Sequence, residues 1–257
     1  MGGENLAIEV FNRYEHKYLI TREQYMHLNK VLIKYMDTDK YNKNGDLYTI
    51  CNIYYDTECN DLIRTSLSKP DYKEKLRLRS YGIPSDSNSK VFLEIKKKCG
   101  GLVNKRRTAL TLAQAYSFSE TGIPPDIDGT MNGQVIKELK YFIELYRPVP
   151  KLFLAYDRMA FFDRESGNLR ISFDTNIRTR RENVLFGYGD CGEHLLDNGM
   201  YLMEIKTSLA KPLWLTKLLC ELEIKRQSFS KYGTEYKHFL RQTLNTNTGE
   251  IKYEQFI

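Results

Sequence analysis

Ten residues of the chain alternate so strictly between two chemistries that they constrain the fold. Positions 72–81 read YKEKLRLRSY, in which one set of alternate residues is cationic and the other is largely apolar: Lys73, Lys75, Arg77 and Arg79 against Glu74, Leu76 and Leu78. Successive side chains of a β-strand point to opposite faces, so this pattern predicts a strand with two different faces. Cations two residues apart lie about 7 Å from each other, and at an effective dielectric of about 20 each such pair repels by about 2 kcal/mol. The cationic face is therefore either fully solvated or meets a negative partner.

The same alternation returns on several other predicted strands. The residues on their charged faces are Arg13, Glu15 and Lys17; Phe92, Glu94, Lys96 and Lys98; Lys105 and Arg107; Tyr156 and Arg158; Arg170, Ser172 and Asp174; Glu204 and Lys206. The opposite faces are largely Leu, Ile, Val, Phe and Tyr. A single charged face is common on edge strands, but its recurrence predicts a whole sheet with one apolar side and one charged side.

Two architectures accommodate such a sheet. In an open antiparallel sheet, the apolar side packs on helices and the charged side faces water. In a barrel of about eight strands, the charged side faces an interior just wide enough for side chains and one slender ligand. The strand pattern alone favours the open sheet. The supply of helices to cover an apolar exterior, and the carboxylates placed among the cations, favour the barrel.

The remaining pattern predicts an α+β protein of one domain, residues 1–257, with a core of about 11–240. Thr21 is a plausible N-cap for a helix over 22–36, and further helices are predicted near 59–67, 112–119 and 132–147, and over 211–244 with a break at FSKYG. The strand count is near eight, and neither half of the chain has enough strands to enclose its own core. We therefore expect antiparallel β-structure with peripheral helices.

Composition narrows the range of partners. A net charge of +6 with a pI near 8.9 favours an anionic partner without choosing among nucleic acid, acidic lipid and a phosphorylated small molecule. The five cysteines include no CxxC pair, which indicates reduced thiols in a reducing compartment. No signal peptide is recognisable and no apolar run approaches the roughly 20 residues that cross a bilayer, so a cytoplasmic location is predicted.

Ten short stretches, in this order, resemble one family. They are RYEHKYLI, NIYYDT, LIRTSLSKPDYKEKLRLRSYG, FLEIKKK, KRR, AYDRMAFF, RISFDTNI, YLMEIK, PLWLTKLL and SFSKYGTEY. The chain resembles the polyphosphate polymerase domain of the vacuolar transporter chaperone (VTC) family in its stand-alone bacterial form, a branch of the triphosphate tunnel metalloenzymes. The hydrolase and cyclase branch opens with ExExK, whereas this chain has Arg13, Glu15 and Lys17 at those positions, which agrees with the polymerase branch.

The resemblance implies an eight-stranded antiparallel tunnel with its charged side inward and helices packed outside. It also implies transfer of the ATP γ-phosphate to a growing inorganic polyphosphate chain, with release of ADP and with Mn²⁺ or Mg²⁺ as cofactor. The implied catalytic residues are Arg77, Arg79, Lys96, Arg158 and Lys231. Phosphate or nucleotide binding falls to Arg13, Lys17, Lys75, Lys105, Arg107, Arg170 and Lys206, and metal binding to Glu204 with Glu15 and Glu94.

For four residues, a structural role is the alternative to a role in catalysis or metal binding. Glu94 is as well explained as an ion-pair partner that spaces the cations as it is by metal binding. Asp174 is expected to orient Arg170 or a turn rather than to bind metal. His16 falls on the outer face by its parity, which argues against a phosphohistidine, and Trp214 is expected to pack against the barrel exterior.

Three other functions remain open from the sequence. A metal-dependent tripolyphosphatase or triphosphate hydrolase uses the same fold, and a non-catalytic module that binds polyphosphate or inositol phosphates would need the same basic tunnel. Nucleic-acid binding is disfavoured because stacking platforms need aromatic side chains among the cations, and the charged faces show few. A membrane partner protein that holds the chain at the inner face of a membrane is a further hypothesis, without membrane insertion of this chain.

Overall fold

The computed structural model describes residues 14–42, 45–100, 102–126, 133–164, 168–208 and 210–254, with backbone alone for 246–254. The strands are β1 (Tyr14–Ile20), β2 (Met36–Thr38), β3 (Tyr48–Asp56), β4 (Tyr72–Tyr81), β5 (Lys90–Cys99), β6 (Leu102–Thr111), β7 (Val149–Asp163), β8 (Leu169–Arg180), β9 (Glu193–His194) and β10 (Tyr201–Thr207). The helices are α1 (Arg22–Tyr35), α2 (Asp61–Leu67), α3 (Leu112–Thr121), α4 (Gly133–Tyr146), α5 (Leu213–Glu221) and α6 (Lys231–Glu254). The predicted α+β class is confirmed.

One antiparallel sheet contains all ten strands, and eight of them form its main path. The order along that path is β1-β10-β8-β7-β3-β4-β5-β6, with β2 beside β7 and β9 beside β8. The path curls into a barrel-like tunnel, since Glu15 on β1 lies close enough to Lys96 on β5 for each to influence the charge of the other. The predicted eight-stranded tunnel is confirmed, with one difference. Within the described ranges, no hydrogen-bonded ladder joins β1 to β6, so the sheet is not closed.

Two apolar clusters cover the outside of the tunnel. One packs α3 and α4 on β4, β5 and β7, where Leu76 and Leu78 are fully buried. The other packs α1 and α5 on β1, β8 and β10 around Phe173 and Ile205. The alternation along the strands therefore places the apolar side chains against the helices, as the barrel interpretation requires.

Local signals on the outer side behave as predicted. Thr21 caps α1 by accepting a hydrogen bond from the backbone of Gln24, whose side chain accepts one from the Thr21 backbone in return. Trp214 packs against the outer cluster and stacks on Tyr35 with a centroid separation of 4.3 Å. His16 lies directly opposite Ile205 of the outer cluster, and its pKa is lowered by burial and by Lys211 and Arg226. Its outward orientation is confirmed.

A third apolar cluster fills one end of the tunnel. Ile63 of α2 and Tyr232 and Tyr236 of α6 pack there against inward-facing residues of β3 and β7. The buried carboxylate of Asp56 ties these elements together, because it accepts hydrogen bonds from the Ile63 backbone at 2.9 Å and from the Tyr232 hydroxyl at 3.0 Å. Helix α6 therefore closes this end. None of the described helices is long and apolar enough to cross a membrane.

The short strands β2 and β9 were not predicted. β2 has three residues that continue directly from α1, and β9 has two residues. Runs this short carry no readable alternation, so only their pairing with β7 and β8 defines them.

Candidate active site: a cation-lined tunnel

The predicted site residues that the structure describes are brought together in the tunnel interior. Those from strands are Glu15, Lys17, Lys75, Arg77, Arg79, Glu94, Lys96, Lys105, Arg107, Arg158, Arg170, Glu204 and Lys206, and Lys231 is added by α6. Arg13 lies outside the described residues. The strands supply cations from opposite walls, so a ligand between the walls meets positive charge on several sides.

Glu94 lies at the centre of one group of cations, on the wall formed by β4, β5 and β6. Its carboxylate accepts a hydrogen bond from Arg77 Nε at 2.6 Å and lies 2.8 Å from Lys105 Nζ, with Arg79 at 4.0 Å and Arg107 at 3.9 Å. Burial alone raises the pKa of Glu94, but Arg77, Arg79 and Lys105 more than offset it and hold the pKa well below its usual range. This geometry favours the interpretation of Glu94 as an ion-pair partner that spaces four cations.

Glu204 lies at the centre of a second group on the opposite wall. Its carboxylate lies 2.8 Å from Lys206 Nζ, 3.5 Å from Lys17 Nζ, 3.7 Å from Lys231 Nζ and 3.9 Å from Arg158 Nη2. Burial again opposes ionisation, yet the surrounding cations keep the pKa of Glu204 well below its usual range. Glu204 is therefore charged at neutral pH.

Asp174 anchors the same wall, and its partners are not the Arg170 that the sequence predicted. Arg158 donates two hydrogen bonds to its carboxylate, at 2.6 and 2.8 Å, and Lys231 makes a close ion pair with it. The expected partner, Arg170, instead pairs with Asp39 at 3.5 Å. Register explains the difference, because Arg158 lies directly opposite Asp174 on the neighbouring strand. Arg170 is four residues from Asp174 along β8, about 13 Å away.

Three neutral side chains hold the arginines in place: Tyr156, which the sequence analysis placed on a charged face, and Asn52 and Tyr54, which it did not name. Arg79 donates Nε to the Asn52 side-chain oxygen at 3.0 Å and Nη2 to the Tyr156 hydroxyl at 3.1 Å. Arg77 donates Nη1 to the Tyr54 hydroxyl at 3.4 Å. Burial opposes ionisation of Tyr54, but Arg77 and its cationic neighbours lower the pKa of that phenol to about 8. The parity of Asn52 and Tyr54 along β3, shared with interior residues, is the sequence signal that could have found them.

Three of the interior lysines, Lys75, Lys96 and Lys105, are poorly compensated, whereas nearby carboxylates raise the pKa values of Lys17 and Lys231. Burial between the walls lowers the pKa of Lys105 to about 7 and that of Lys75 to about 8. Lys105 keeps 39% of its side chain exposed, yet Arg77 and Arg79 nearby add to the effect. The pKa of Lys96 is also lowered, by burial and by Lys17 and other cations. The ligand-free tunnel therefore holds more positive charge than its carboxylates balance.

We expect phosphate binding to be linked to proton uptake through Lys75. A bound polyanion raises the lowered pKa of this lysine, so binding at pH 8–9 takes up protons and affinity falls as pH rises through that range. Without a ligand, Lys75 binds fewer protons in the folded protein than in the unfolded chain, where its pKa is about 10.4. Lys75 therefore destabilises the fold below about pH 8, and this destabilisation is relieved as pH rises towards about 10.4. Calorimetry of tripolyphosphate binding in buffers of different ionisation enthalpy measures the uptake. Substitution K75M should reduce it, and unchanged uptake would contradict the assignment.

Glu204 and Glu15 have the chemistry to hold a divalent cation. Lys17 Nζ lies 3.2 Å from Glu15 and Lys206 Nζ lies 3.9 Å from it, so the same two lysines contact both carboxylates. No group of three or more His, Cys, Asp or Glu side chains suited to a metal occurs in the described part of the chain. Mg²⁺ and Mn²⁺ commonly bind through one or two carboxylates and complete their coordination with phosphate oxygens and water. Glu204 and Glu15 fit this mode of metal binding.

Three solved structures resemble the chain at low identity. Two are named "putative adenylate cyclase": one from Bacillus halodurans, with 15% identity, a TM-score of 0.49 and coverage of 84% of this chain and 92% of that one, and one from Vibrio parahaemolyticus, with 11% identity, a TM-score of 0.45 and coverage of 88% and 98%. The third is the PH1819 protein of Pyrococcus horikoshii, with 14% identity, a TM-score of 0.44 and coverage of 88% and 99%.

Comparison with models of protein families identifies the family of the chain. No curated protein is a significant match. The model of the VTC domain matches residues 12–240, which include all of the main strand path and the start of α6. This span also contains every residue that the sequence analysis placed in the site. The chain therefore belongs to the VTC domain family.

Proposed function

We propose that the protein is an ATP-dependent polyphosphate polymerase that transfers the γ-phosphate of ATP to a growing inorganic polyphosphate chain and releases ADP. The observation that carries this proposal is the pair of cation groups on opposite walls of the tunnel, centred on Glu94 and Glu204. A phosphate chain presents negative charge along its whole length and on every side. A tunnel with cations on facing walls complements that shape, whereas a flat basic surface contacts one side only.

Positioning and charge neutralisation account for most catalysis of phosphoryl transfer. Arg77 and Arg79 are fixed by Glu94, Tyr54, Asn52 and Tyr156, so their guanidinium planes are oriented before the substrate arrives. A guanidinium has five N–H donors, and these contacts leave each arginine further donors for phosphate oxygens. The β4 wall is therefore proposed to align the donor triphosphate.

The opposite wall is proposed to stabilise the charge that moves during transfer. Arg158 and Lys231 are held side by side by Asp174, and Lys231 also lies 4.4 Å from the centre of the Tyr156 ring. Two fixed cations at one point suit the negative charge that develops on the oxygens between donor and acceptor. A divalent ion bound by Glu204 and Glu15, with Mn²⁺ or Mg²⁺ as candidates, would supply further charge neutralisation on those oxygens.

The deciding experiment incubates the purified protein with ATP and Mn²⁺, with and without a short polyphosphate primer. We expect long chains on a gel stained for polyphosphate and an equivalent amount of ADP. Release of free phosphate without chains would identify a triphosphate hydrolase, and tight binding without turnover would identify a binding module. Either result would overturn the polymerase proposal.

The metal assignment is tested by comparing two glutamates that lie in similar cation groups. In E204Q the oxygen donor is weakened, so we expect at least a tenfold higher Mn²⁺ concentration for half-maximal transfer, the scale on which lost metal contacts act. The matched variant E94Q should lower turnover by loosening Arg77 and Lys105 while leaving the Mn²⁺ requirement unchanged. A raised Mn²⁺ requirement in E94Q alone would move the metal to the other wall.

A further inference from the structure

Aromatic rings line the end of the tunnel opposite α6. Tyr48 begins β3, Tyr81 ends β4 and Phe92 lies near the start of β5, all at inward-facing positions, and Tyr41 reaches them from the loop after β2. The rings of Tyr41 and Tyr81 stack with a centroid separation of 5.4 Å and an angle of 11°, and Phe92 meets Tyr81 edge-on at 5.7 Å. We call these four residues the aromatic rim.

Two rings of the aromatic rim are partly exposed to solvent, unlike the rings of a buried core cluster. Tyr41 is 49% exposed and Tyr81 is 36% exposed. At the other end of the interior, by contrast, Tyr232 and Tyr236 of α6 are 3% and 5% exposed and pack against α2 and the strands. The rim is therefore partly open to solvent, with Lys40 Nζ 5.3 Å from the centre of the Tyr41 ring.

The loop that carries Tyr41 is anchored to the tunnel wall. Asp39 accepts hydrogen bonds from the Tyr41 backbone at 3.2 Å and from the Tyr48 hydroxyl at 3.3 Å. Asn42, which is buried, donates to the Arg158 carbonyl at 2.8 Å and accepts from the Ala160 backbone at 3.0 Å. Tyr41 is thus held over the opening by two buried polar residues, which gives the rim a defined geometry without ligand.

Cations continue from the aromatic rim into the tunnel. The Arg107 guanidinium lies 4.7 Å from the Phe92 ring centre and also faces Glu94. Along β4, Arg79 and Arg77 are two and four residues from Tyr81, which places them about 7 and about 13 Å inward. A planar ring bound at Tyr81 and a row of phosphates at Arg79 and Arg77 together span roughly the extent of one nucleoside triphosphate.

We propose that the Tyr41–Tyr81 stack receives the purine ring of the nucleotide donor on its exposed face. This inference rests on the proposed function, since it states where the base of that donor lies. Aromatic side chains stack on any base through its π-face, without reading its hydrogen-bonding edge. ATP and GTP should therefore bind with similar affinity. Inorganic tripolyphosphate, which has no base, should gain nothing from the aromatic rim.

The test compares Y81L and Y41S with wild type by calorimetry, using the β,γ-imido analogue of ATP and, separately, tripolyphosphate at one Mn²⁺ concentration. The variants should bind the analogue about 5- to 150-fold more weakly, the range that loss of one base-stacking contact gives, and tripolyphosphate within about twofold of wild type. The control is Y141L, since Tyr141 is 64% exposed on α4, outside the tunnel, and should bind both ligands as wild type does. Tyr41 lies in a surface loop, so Y41S keeps the test valid if Y81L fails to fold.

Several outcomes would overturn the inference. Equal weakening of both ligands would mean that the rings only shape the opening, and no weakening of either would mean that the base lies elsewhere. Tripolyphosphate binding to wild type as tightly as the ATP analogue would remove the base contribution and leave the phosphate tunnel intact. If wild type binds neither ligand, the proposed function fails together with the inference.

Discussion

Replacing Asp174 with alanine is expected to lower the free energy of unfolding by about 3–5 kcal/mol, the usual cost of removing one partner from a buried ion pair. Asp174 is completely buried, and its loss leaves Arg158 and Lys231 with only the more distant carboxylate of Glu204, at 3.9 and 3.7 Å. Typical domains unfold at a cost of 5–15 kcal/mol, so the variant should lose a large part of its stability. Urea denaturation followed by circular dichroism measures the change.

The matched control is D157N on the outer side of the same two strands. Asp157 keeps 19% of its side chain exposed and pairs with Arg178 at 3.3 Å, and Arg178 retains a second ion pair with Asp190, so D157N should cost less stability than D174A. Tripolyphosphate should restore much of the lost stability of D174A, because its negative charge takes the place of the missing carboxylate beside Arg158 and Lys231. A D174A protein as stable as D157N, or one that tripolyphosphate does not stabilise, would contradict the role assigned to Asp174.

Substitution K231M is expected to lower phosphoryl transfer by about 10²–10³-fold, the scale observed when one charge-stabilising donor is removed from an active site. The fold should persist, because Arg158 keeps both of its hydrogen bonds to Asp174 in this variant. The measurement is the initial rate of ADP release at saturating ATP, primer and Mn²⁺, beside a thermal unfolding curve.

The conservative variant and a neighbour on the same helix separate catalysis from structure. K231R keeps the charge and should retain more activity than K231M. Lys237 lies on the exposed side of α6, and K237M should transfer phosphate at the wild-type rate. Wild-type turnover by K231M would remove Lys231 from the mechanism, and an equal loss in K237M would trace the effect to the helix as a whole.

The sequence was sufficient to assign the sides of the sheet. Residues such as Arg77 and Leu78 alternate with a period of two, and a strand converts that period directly into inner and outer faces. The same rule placed Glu204 and Lys206 inside and His16 outside. The resemblance to the VTC family then decided between an open sheet and a tunnel, which alternation alone could not do.

Pairings between strands and contacts from loops could not be predicted in the same way. Arg158 meets Asp174 because of the register between β7 and β8, and an irregularity between Ala155 and Asp157 shifts that register. Tyr41 joins the aromatic rim only because Asp39 and Asn42 fix its loop. Such contacts join residues far apart in sequence and leave no local pattern to read.

The gap between β1 and β6 has a consequence for handling the protein. No hydrogen-bonded ladder holds these two edges together in the described residues, and Lys17 of β1 repels Lys75 of β4 and Lys96 of β5 across the interior. Dissolved anions screen that repulsion, so ordinary buffer salt acts as a partial substitute for substrate. The melting temperature of the protein without substrate should therefore rise with the concentration of sulfate or phosphate. Dialysis into water without salt should destabilise the folded protein most.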